Sequence, residues 1–291
     1  MKTPRFEYHA PRSVEEVLGL LAEYGDEAKV LAGGQSLVPL LAMRLARPTH
    51  LVDINNVEGL TGIAERNGVV AFGALTRERE AEGSALVSQH LPVMAAALPH
   101  IGHISIRNRG TVGGSIAHAD ALAELPAVAR ITGAEMVVKS STDERVVSAE
   151  DFFQGHFTTA LGDEELLTEV RVPKGPAGAG WAFEEVARRR GDFALVGVAA
   201  MVALDGAGKV GEARLCLIGV ADRPLQPRAA EAALVGTEPS TEAFVAAAEE
   251  VVRDLRPPSD IHGSGDFRRQ LARVTVRRSL EAAASRAGKA S

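Results

Sequence analysis

The stretch Lys29-Val30-Leu31-Ala32-Gly33-Gly34-Gln35-Ser36-Leu37 decides how the N-terminal half of the chain is read. Lys29 to Ala32 has the look of a short buried strand, and the glycine pair stops it. A helix is predicted from Leu37 to about Leu45, with Pro39 tolerated in the first turn, where its missing N–H costs little. His50 to Ile54 follows as a second strand, so the order β–turn–α–β predicts a small α/β unit. Upstream, Ser13 with Glu16 three residues on forms a capping-box start for an amphipathic helix that stops at Tyr24-Gly25-Asp26. Two adjacent glycines permit positive φ and let a ligand approach where no Cβ intrudes. N–H groups of such a loop, opening onto a helix, can converge on a phosphate. Glycine pairs also mark plain turns, so one loop alone does not settle the matter.

A second stretch of the same design makes the case. Gly110-Thr111-Val112-Gly113-Gly114-Ser115 again pairs glycines with hydroxyl residues, and Thr111 to Ala117 reads as a strand broken by glycine. Two such loops in one α/β region point to a diphosphate held between them, with Ser36, Thr111 and Ser115 as added hydroxyl donors. Arg107 and Arg109 stand just ahead, either as solvated loop residues or as guanidinium groups beside a phosphate or a partner's carboxylate. Around the loop, Gly68 to Gly73 reads as a strand and Ala74 to Arg77 leads into a helix. Leu91 to Ile101 is a buried helix despite Pro92 and Pro99. Glu124 to Thr132 is a helix, and Ala134 to Lys139 and Leu166 to Val172 are strands. Lys174 to Gly180 is a Gly/Pro linker, after which Val196 to Leu204 and Lys209 to Val220 form a hairpin. Helical patterns over Thr241 to Leu255 and Phe267 to Arg286 close an α+β C-terminal part.

Other chemistries fall away. Gly206-Ala207-Gly208-Lys209-Val210-Gly211 matches the dinucleotide fingerprint by letter, but it joins two strands and opens no helix. His100, His103 and His118, with Asp120, have tempting spacing for a metal, yet Gly102 and the glycine loop interrupt them, and polar lining of a ligand site or plain surface histidines are the simpler roles. The chain has one cysteine, Cys216, in an apolar run; that excludes a disulfide within the chain and any thiolate-built cluster. A net charge of −6 over 291 residues offers no global attraction to nucleic acid, and Arg188-Arg189-Arg190 is a solvated or interface face. No stretch approaches the ~20 apolar residues of a membrane span. The N-terminus MKTPRFEYHAPRS lacks a signal-like apolar segment, so the expected location is cytoplasmic.

Taken in order, these motifs resemble one family. Ala32 to Leu37 followed by Asp53-Ile54, then Thr111 to Asp120 with Glu124-Leu125-Pro126, look like the FAD-binding medium subunit of molybdenum hydroxylases, most of all its carbon monoxide dehydrogenase medium-chain and xanthine dehydrogenase FAD-subunit types. Arg188 to Ala194 resembles the opening of that family's C-terminal domain, and Pro257 to Ser264 its closing segment. The resemblance implies an α+β fold: a two-subdomain PCMH-type (vanillyl-alcohol-oxidase-like) FAD domain over residues 1–175, with parts at about 1–58 and 59–175, then a C-terminal domain over 181–286 with an antiparallel sheet and helices. It implies FAD as cofactor and electron transfer as role. Molybdenum–pterin would reside in a large partner subunit and [2Fe–2S] clusters in a small one, in a dimer of heterotrimers serving an external electron acceptor.

Carried over to this sequence, the resemblance implies FAD contacts from Leu31, Ala32, Gly33, Gly34, Gln35, Ser36 and Leu37 on one side of the diphosphate. Gly110, Thr111, Val112, Gly113, Gly114 and Ser115 would lie on the other. Asp120 and Glu124 match polar contacts toward the ribose–adenine side, and Ile101 and Leu161 match apolar packing on the flavin ring. Phe193 stands where the family often has Tyr beside the flavin, and Ala121 replaces a common proline. The competing expectations are a stand-alone FAD-dependent oxidoreductase, which needs a catalytic base near the flavin, and a non-catalytic scaffold subunit whose glycine loops hold no cofactor.

Overall fold

The computed structural model describes residues 2–288. Its first unit is a parallel sheet of β1 (Glu7–His9), β2 (Ala28–Leu31) and β3 (His50–Asp53) in the order β1-β3-β2. Between β1 and β2 runs α1 (Val14–Tyr24), and between β2 and β3 the short α2 (Leu37–Ala42). The cap expected at Ser13 forms: its hydroxyl accepts the Glu16 N–H at 3.2 Å, while the Glu16 carboxylate accepts the Arg12 N–H at 2.7 Å. Helix α1 then buries Val17, Leu18 and Leu21 with Val52 and Ile54 of the sheet side.

The second unit is an antiparallel sheet in the order β4-β5-β10-β6-β7. Its strands are β4 (Ile63–Arg66), β5 (Val69–Gly73), β6 (Glu135–Lys139), β7 (Glu144–Ser148) and β10 (Leu166–Pro173); β8 (Phe153–Gly155) and β9 (Thr158–Thr159) form a small separate ribbon. Helices fill the chain between β5 and β6: α3 (Glu78–Glu82), α4 (Ala85–His90), α5 (Pro92–Ala97), α6 (Ile104–Arg107), α7 (Val112–His118) and α8 (Glu124–Thr132), with α9 (Ala149–Phe152) after β7. Pro92 and Pro99 break nothing, because each occupies the first turn of its own short element, α5 and the 3₁₀ turn Leu98–His100.

The third unit is the antiparallel sheet β11 (Gly180–Ala187), β12 (Ala194–Leu204) and β13 (Val210–Ile218), with α10 (Arg228–Leu234), α11 (Thr241–Arg253) and α12 (Gly265–Arg286). Its middle strand is apolar without alternation because both faces are covered. Met201 and Ala199 join the core of the second unit, whereas Val198, Ala200 and Val202 pack under Phe244, Ala272, Val276 and Leu280 of the helices. The Gly/Pro segment expected as a linker does cross between the two sheets, but it is pinned. A Cβ on Gly175 would strike the Trp181 ring, Lys174 N–H donates to Gly68 O at 3.1 Å, and Gly288 N–H donates to Gly178 O at 2.8 Å. Cys216 is wholly buried in β13, where desolvation pushes its thiol up to about 12.

Arg268 fastens the third unit from within. It is 2% exposed, and its guanidinium donates to Leu195 O at 2.5 Å, Gly219 O at 3.2 Å and the Asp260 carboxylate at 2.6 Å. The segment Pro257 to Ser264 is therefore the strap that supplies this arginine's carboxylate.

Candidate cofactor site

Gly33 and Gly34 end β2 and turn the chain toward α2, and each must be glycine for its own reason. Gly34 lies at φ +73°, a conformation L side chains rarely adopt. At Gly33 a Cβ would strike the carbonyl oxygen of Arg109 and come within 2.9 Å of the Gly110 Cα. The first glycine pair thus sits directly against the second loop. Beside this junction opens a cavity of about 380 Å³, lined by Leu31 to Gln35, Val38, Pro39, Asp53, Asn55, Ile106 and Arg109.

The two loops offer a ligand different groups. Among the described residues, the N–H groups of Gly33, Gly34, Gln35 and Ser36 have no acceptor in the protein. Those of Gly33, Gly34 and Gln35 lie along the cavity, and three in succession there form a nest suited to an anion. In the second loop the N–H groups of Gly110 and of Val112 to Ser115 are already engaged. Val112 donates to Thr76 O at 2.9 Å, Gly113 to Ala74 O at 3.0 Å, Gly114 to Thr111 Oγ1 at 3.0 Å and Ser115 to Thr111 O at 3.0 Å. What remains is the Thr111 N–H, which has no acceptor among the described residues, and the hydroxyl protons of Thr111 and Ser115.

That pattern corrects the strand expected over Thr111 to Ala117, which is helix α7. Thr111 is its N-cap, and the capping bond to Gly114 starts the turn. The glycines serve close packing: a Cβ on Gly113 would lie 2.6 Å from Ala74, and one on Gly114 would lie 2.5 Å from the capping hydroxyl. Valine and glycine suggest a strand by propensity, but tertiary packing and the cap override it.

Two residues missed in the sequence, Arg77 and Asn55, tie the loops together. Arg77 donates to Arg109 O at 2.6 Å and to Asn55 Oδ1 at 2.7 Å. Asn55 in turn donates to Ala32 O at 2.9 Å and to the Asp53 carboxylate at 2.6 Å, which also accepts the Tyr8 hydroxyl at 2.7 Å. Burial alone would raise the Asp53 carboxyl, but bonds from Asn55 and Tyr8 and the charge of Arg109 hold it below the usual range. The available signal was Asp53 and Asn55 ending a strand at the height of the glycine pair, where an Asx residue closes a turn.

The remaining expected residues fall into a second neighbourhood. Ile101 is buried, and the following Gly102-His103 packs against Gly191 in the loop that leads to Phe193. Phe193 is 67% exposed, while Leu161 packs at the margin of the large core. Asp120 and Glu124 are buried; Asp120 accepts the Leu122 N–H at 2.9 Å in the turn between α7 and α8. Of the expected residues only Leu31 to Gln35 line the 380 Å³ cavity; Ser36, Leu37, Ile101, Gly110 to Ser115, Asp120, Glu124, Leu161 and Phe193 do not. The histidines part company: His100 Nδ1 lies 3.9 Å from Glu185, His103 lies against Gly191, and the His118 ring lies tilted against Phe157 with centroids 4.9 Å apart. Glu7, His9 and His50 do bring their polar atoms together, and the short His9–His50 contact at 3.0 Å is a ring-to-ring hydrogen bond over which Tyr24 stacks.

Comparison with known proteins places this geometry. Residues 4–175 match the family described as FAD binding domain in molybdopterin dehydrogenase, and residues 181–283 match the CO dehydrogenase flavoprotein C-terminal domain. The chain belongs to the FAD-binding medium subunits of molybdenum hydroxylases. Among relatives of this family, the 6-hydroxypseudooxynicotine dehydrogenase complex subunit alpha of Paenarthrobacter nicotinovorans is 44% identical, over 99% of this chain and 97% of that protein. The carbon monoxide dehydrogenase medium chain of Hydrogenophaga pseudoflava is 39% identical, over 98% and 99%. The solved carbon monoxide dehydrogenase from the same organism aligns with a TM-score of 0.96 at 41% identity, covering 99% of this chain and 100% of that one. As a medium subunit, this chain carries FAD and works in electron transfer, while molybdenum and iron–sulfur cofactors belong to other subunits. Among the described residues no helix is long and apolar enough to cross a membrane.

Proposed function

We propose that the FAD diphosphate lies between Ala32–Ser36 and Gly110–Ser115, in the cavity where Gly33 abuts Gly110. The observation that carries this is the run of acceptor-free N–H groups from Gly33 to Ser36, which a diphosphate would satisfy. Leu31 and Leu37 flank that nest, and the hydroxyls of Thr111 and Ser115 add donors from the other side. Val112 and Gly113 give their N–H groups to the Thr76 and Ala74 carbonyls just past β5, and Gly114 gives its own to the Thr111 cap, so none of the three is left for the cofactor. Asp120 and Glu124 serve the cofactor's polar groups, and Ile101, Leu161 and Phe193 its flavin ring. Residues 1–175, divided near 58, form the FAD-binding domain and residues 181–286 the C-terminal domain.

The bound flavin supplies the exchange between one-electron and two-electron carriers. Residues of the chain fix its position and keep its surroundings dry. A small partner subunit with [2Fe–2S] clusters delivers the electrons, a large molybdenum–pterin subunit oxidises the substrate, and an acceptor outside the complex removes the electrons. The assembly is a dimer of heterotrimers in the cytoplasm, and the substrate is chosen by the large subunit. Purified chain tests the site: wild type should release FAD on denaturation, and Gly34→Ala should carry far less. Equal flavin content in the two would contradict the assigned nest.

A further inference from the structure

The outer edge of the first sheet gathers side chains that the cofactor site does not use. Strand β1 pairs in parallel with β3, which sets Glu7 opposite His50 and His9 opposite Val52. Residues two apart on a strand share a face, so Glu7, His9 and His50 point to the same side, the one on which Val52 packs with α1. Among the described residues they are the one group of three metal-ligating side chains whose donor atoms all lie within 4.8 Å of one another. His9 Nε2 stands 3.0 Å from His50 Nδ1, and Glu7 Oε2 stands 3.9 Å from that same His50 nitrogen.

The spacing suits a cation. Two imidazole nitrogens bound ~2.0–2.1 Å from one ion stand about 3.3 Å apart in tetrahedral geometry and about 2.9 Å apart at a right angle. The 3.0 Å separation here lies between those values. A hydrogen bond between the rings places one proton between the two nitrogens and leaves the Glu7 carboxylate out. A divalent ion engages all three: each ring keeps its proton on the far nitrogen and turns the lone pair of the near one to the metal. The rings are already oriented, because Tyr24, the last residue of α1, lies on His50 with centroids 3.7 Å and planes 6° apart, and on His9 at 5.4 Å. The Glu7 side chain is 66% exposed, so its carboxylate is free to swing in and water can complete the shell.

We propose that Glu7, His9 and His50 bind a divalent cation of the zinc class that ties β1 to β3. The donor set sorts the metals: imidazole suits zinc and its neighbours copper and nickel, whereas calcium and magnesium take oxygen donors. The tie matters locally, because β1 has three residues, lies at the sheet edge and pairs with β3 alone. Tyr8, between the two ligands, points to the opposite face and gives its hydroxyl to Asp53, a residue of the cofactor cavity, at 2.7 Å. A cation on one face of β1 therefore fixes the tyrosine on the other. The metal site itself stands on its own residues, wherever the FAD lies.

Calorimetric titration of the untagged full-length chain with zinc chloride tests it, with circular dichroism and flavin absorbance checking each sample. The wild type should take up one equivalent of Zn²⁺ ahead of any weaker binding. His9→Gln should abolish that step. Glu7→Gln, at an exposed position, should keep the fold and weaken the step at least about tenfold, the least that losing even an outer partner costs a metal site. If His9→Gln does not fold, Glu7→Gln decides alone. A wild type with no saturable uptake of Zn²⁺ overturns the proposal. So does undiminished uptake by either folded variant, which would put the ion on other surface groups.

Discussion

Replacing Glu78 with glutamine should change how the protein's stability depends on pH. Glutamine matches the protonated acid in shape and removes the ionisation. In the wild type the folded carboxyl sits at about 8, against 4.5 for the free side chain, because burial penalises its charge. The folded state therefore binds this proton more tightly than the unfolded chain. The sign follows: wild-type stability is full below about pH 4.5 and declines as pH rises toward about 8, where the folded protein must ionise Glu78 as well. At 1.36 kcal/mol per pKa unit, the shift corresponds to a loss of up to ~5 kcal/mol across that window. Glu78→Gln should match the wild type near ~pH 5 and exceed it by several kcal/mol near ~pH 9, with a residual slope from Glu124 and Glu185, whose carboxyls burial also raises. Urea unfolding followed by the single tryptophan, Trp181, reads this directly, because that side chain is buried in β11. Parallel stability curves for the two proteins over that range would refute the argument that Glu78 is buried without a counter-charge.

Further outcomes follow from the same geometry. Gly34→Ala forces a Cβ at φ +73° and should cost ~1–2 kcal/mol, read as a lower urea midpoint alongside the loss of flavin. Arg77→Met should leave the fold intact but loosen the junction between Asn55 and Arg109 O, weakening FAD binding by roughly tenfold in a fluorescence titration, the worth of about one good hydrogen bond. Arg268→Met leaves the Leu195 and Gly219 carbonyls without their donor in a buried place and should destabilise by ~2–4 kcal/mol, with flavin content unchanged at low denaturant.

Much of this fold could be read from local signals, and the exceptions share a cause. The helix from Glu124 to Thr132 and the hairpin through Asp205–Gly208 agree with the structure because caps, turns and apolar patterns are local there. Strand β1 has three residues and β11 begins in a glycine-rich segment, so neither carries enough pattern to stand out. Both exist because a neighbouring strand supplies the hydrogen bonds. Helix α7 was hidden for a related reason, since only Ala74 across the chain explains its glycines. At the site, the glycine pairs announced themselves, and the structure brings Gly33 to Gly110. The Asn55–Arg77 brace and the packing of the Glu78 carboxylate beneath Gly110 were invisible because each joins residues far apart in sequence, whose chemistry appears only once burial is known.

The claim on which the account depends is that one cavity, at the meeting of Gly33 and Gly110, holds the FAD diphosphate. A crystal structure of the FAD-loaded chain measures this most directly. It should show the diphosphate oxygens accepting the N–H groups of Gly33 to Ser36, with the hydroxyls of Thr111 and Ser115 opposite and the N–H groups of Val112 to Ser115 still bonded within the protein. A diphosphate bound elsewhere, with the Gly33–Ser36 N–H groups facing only water, would contradict it.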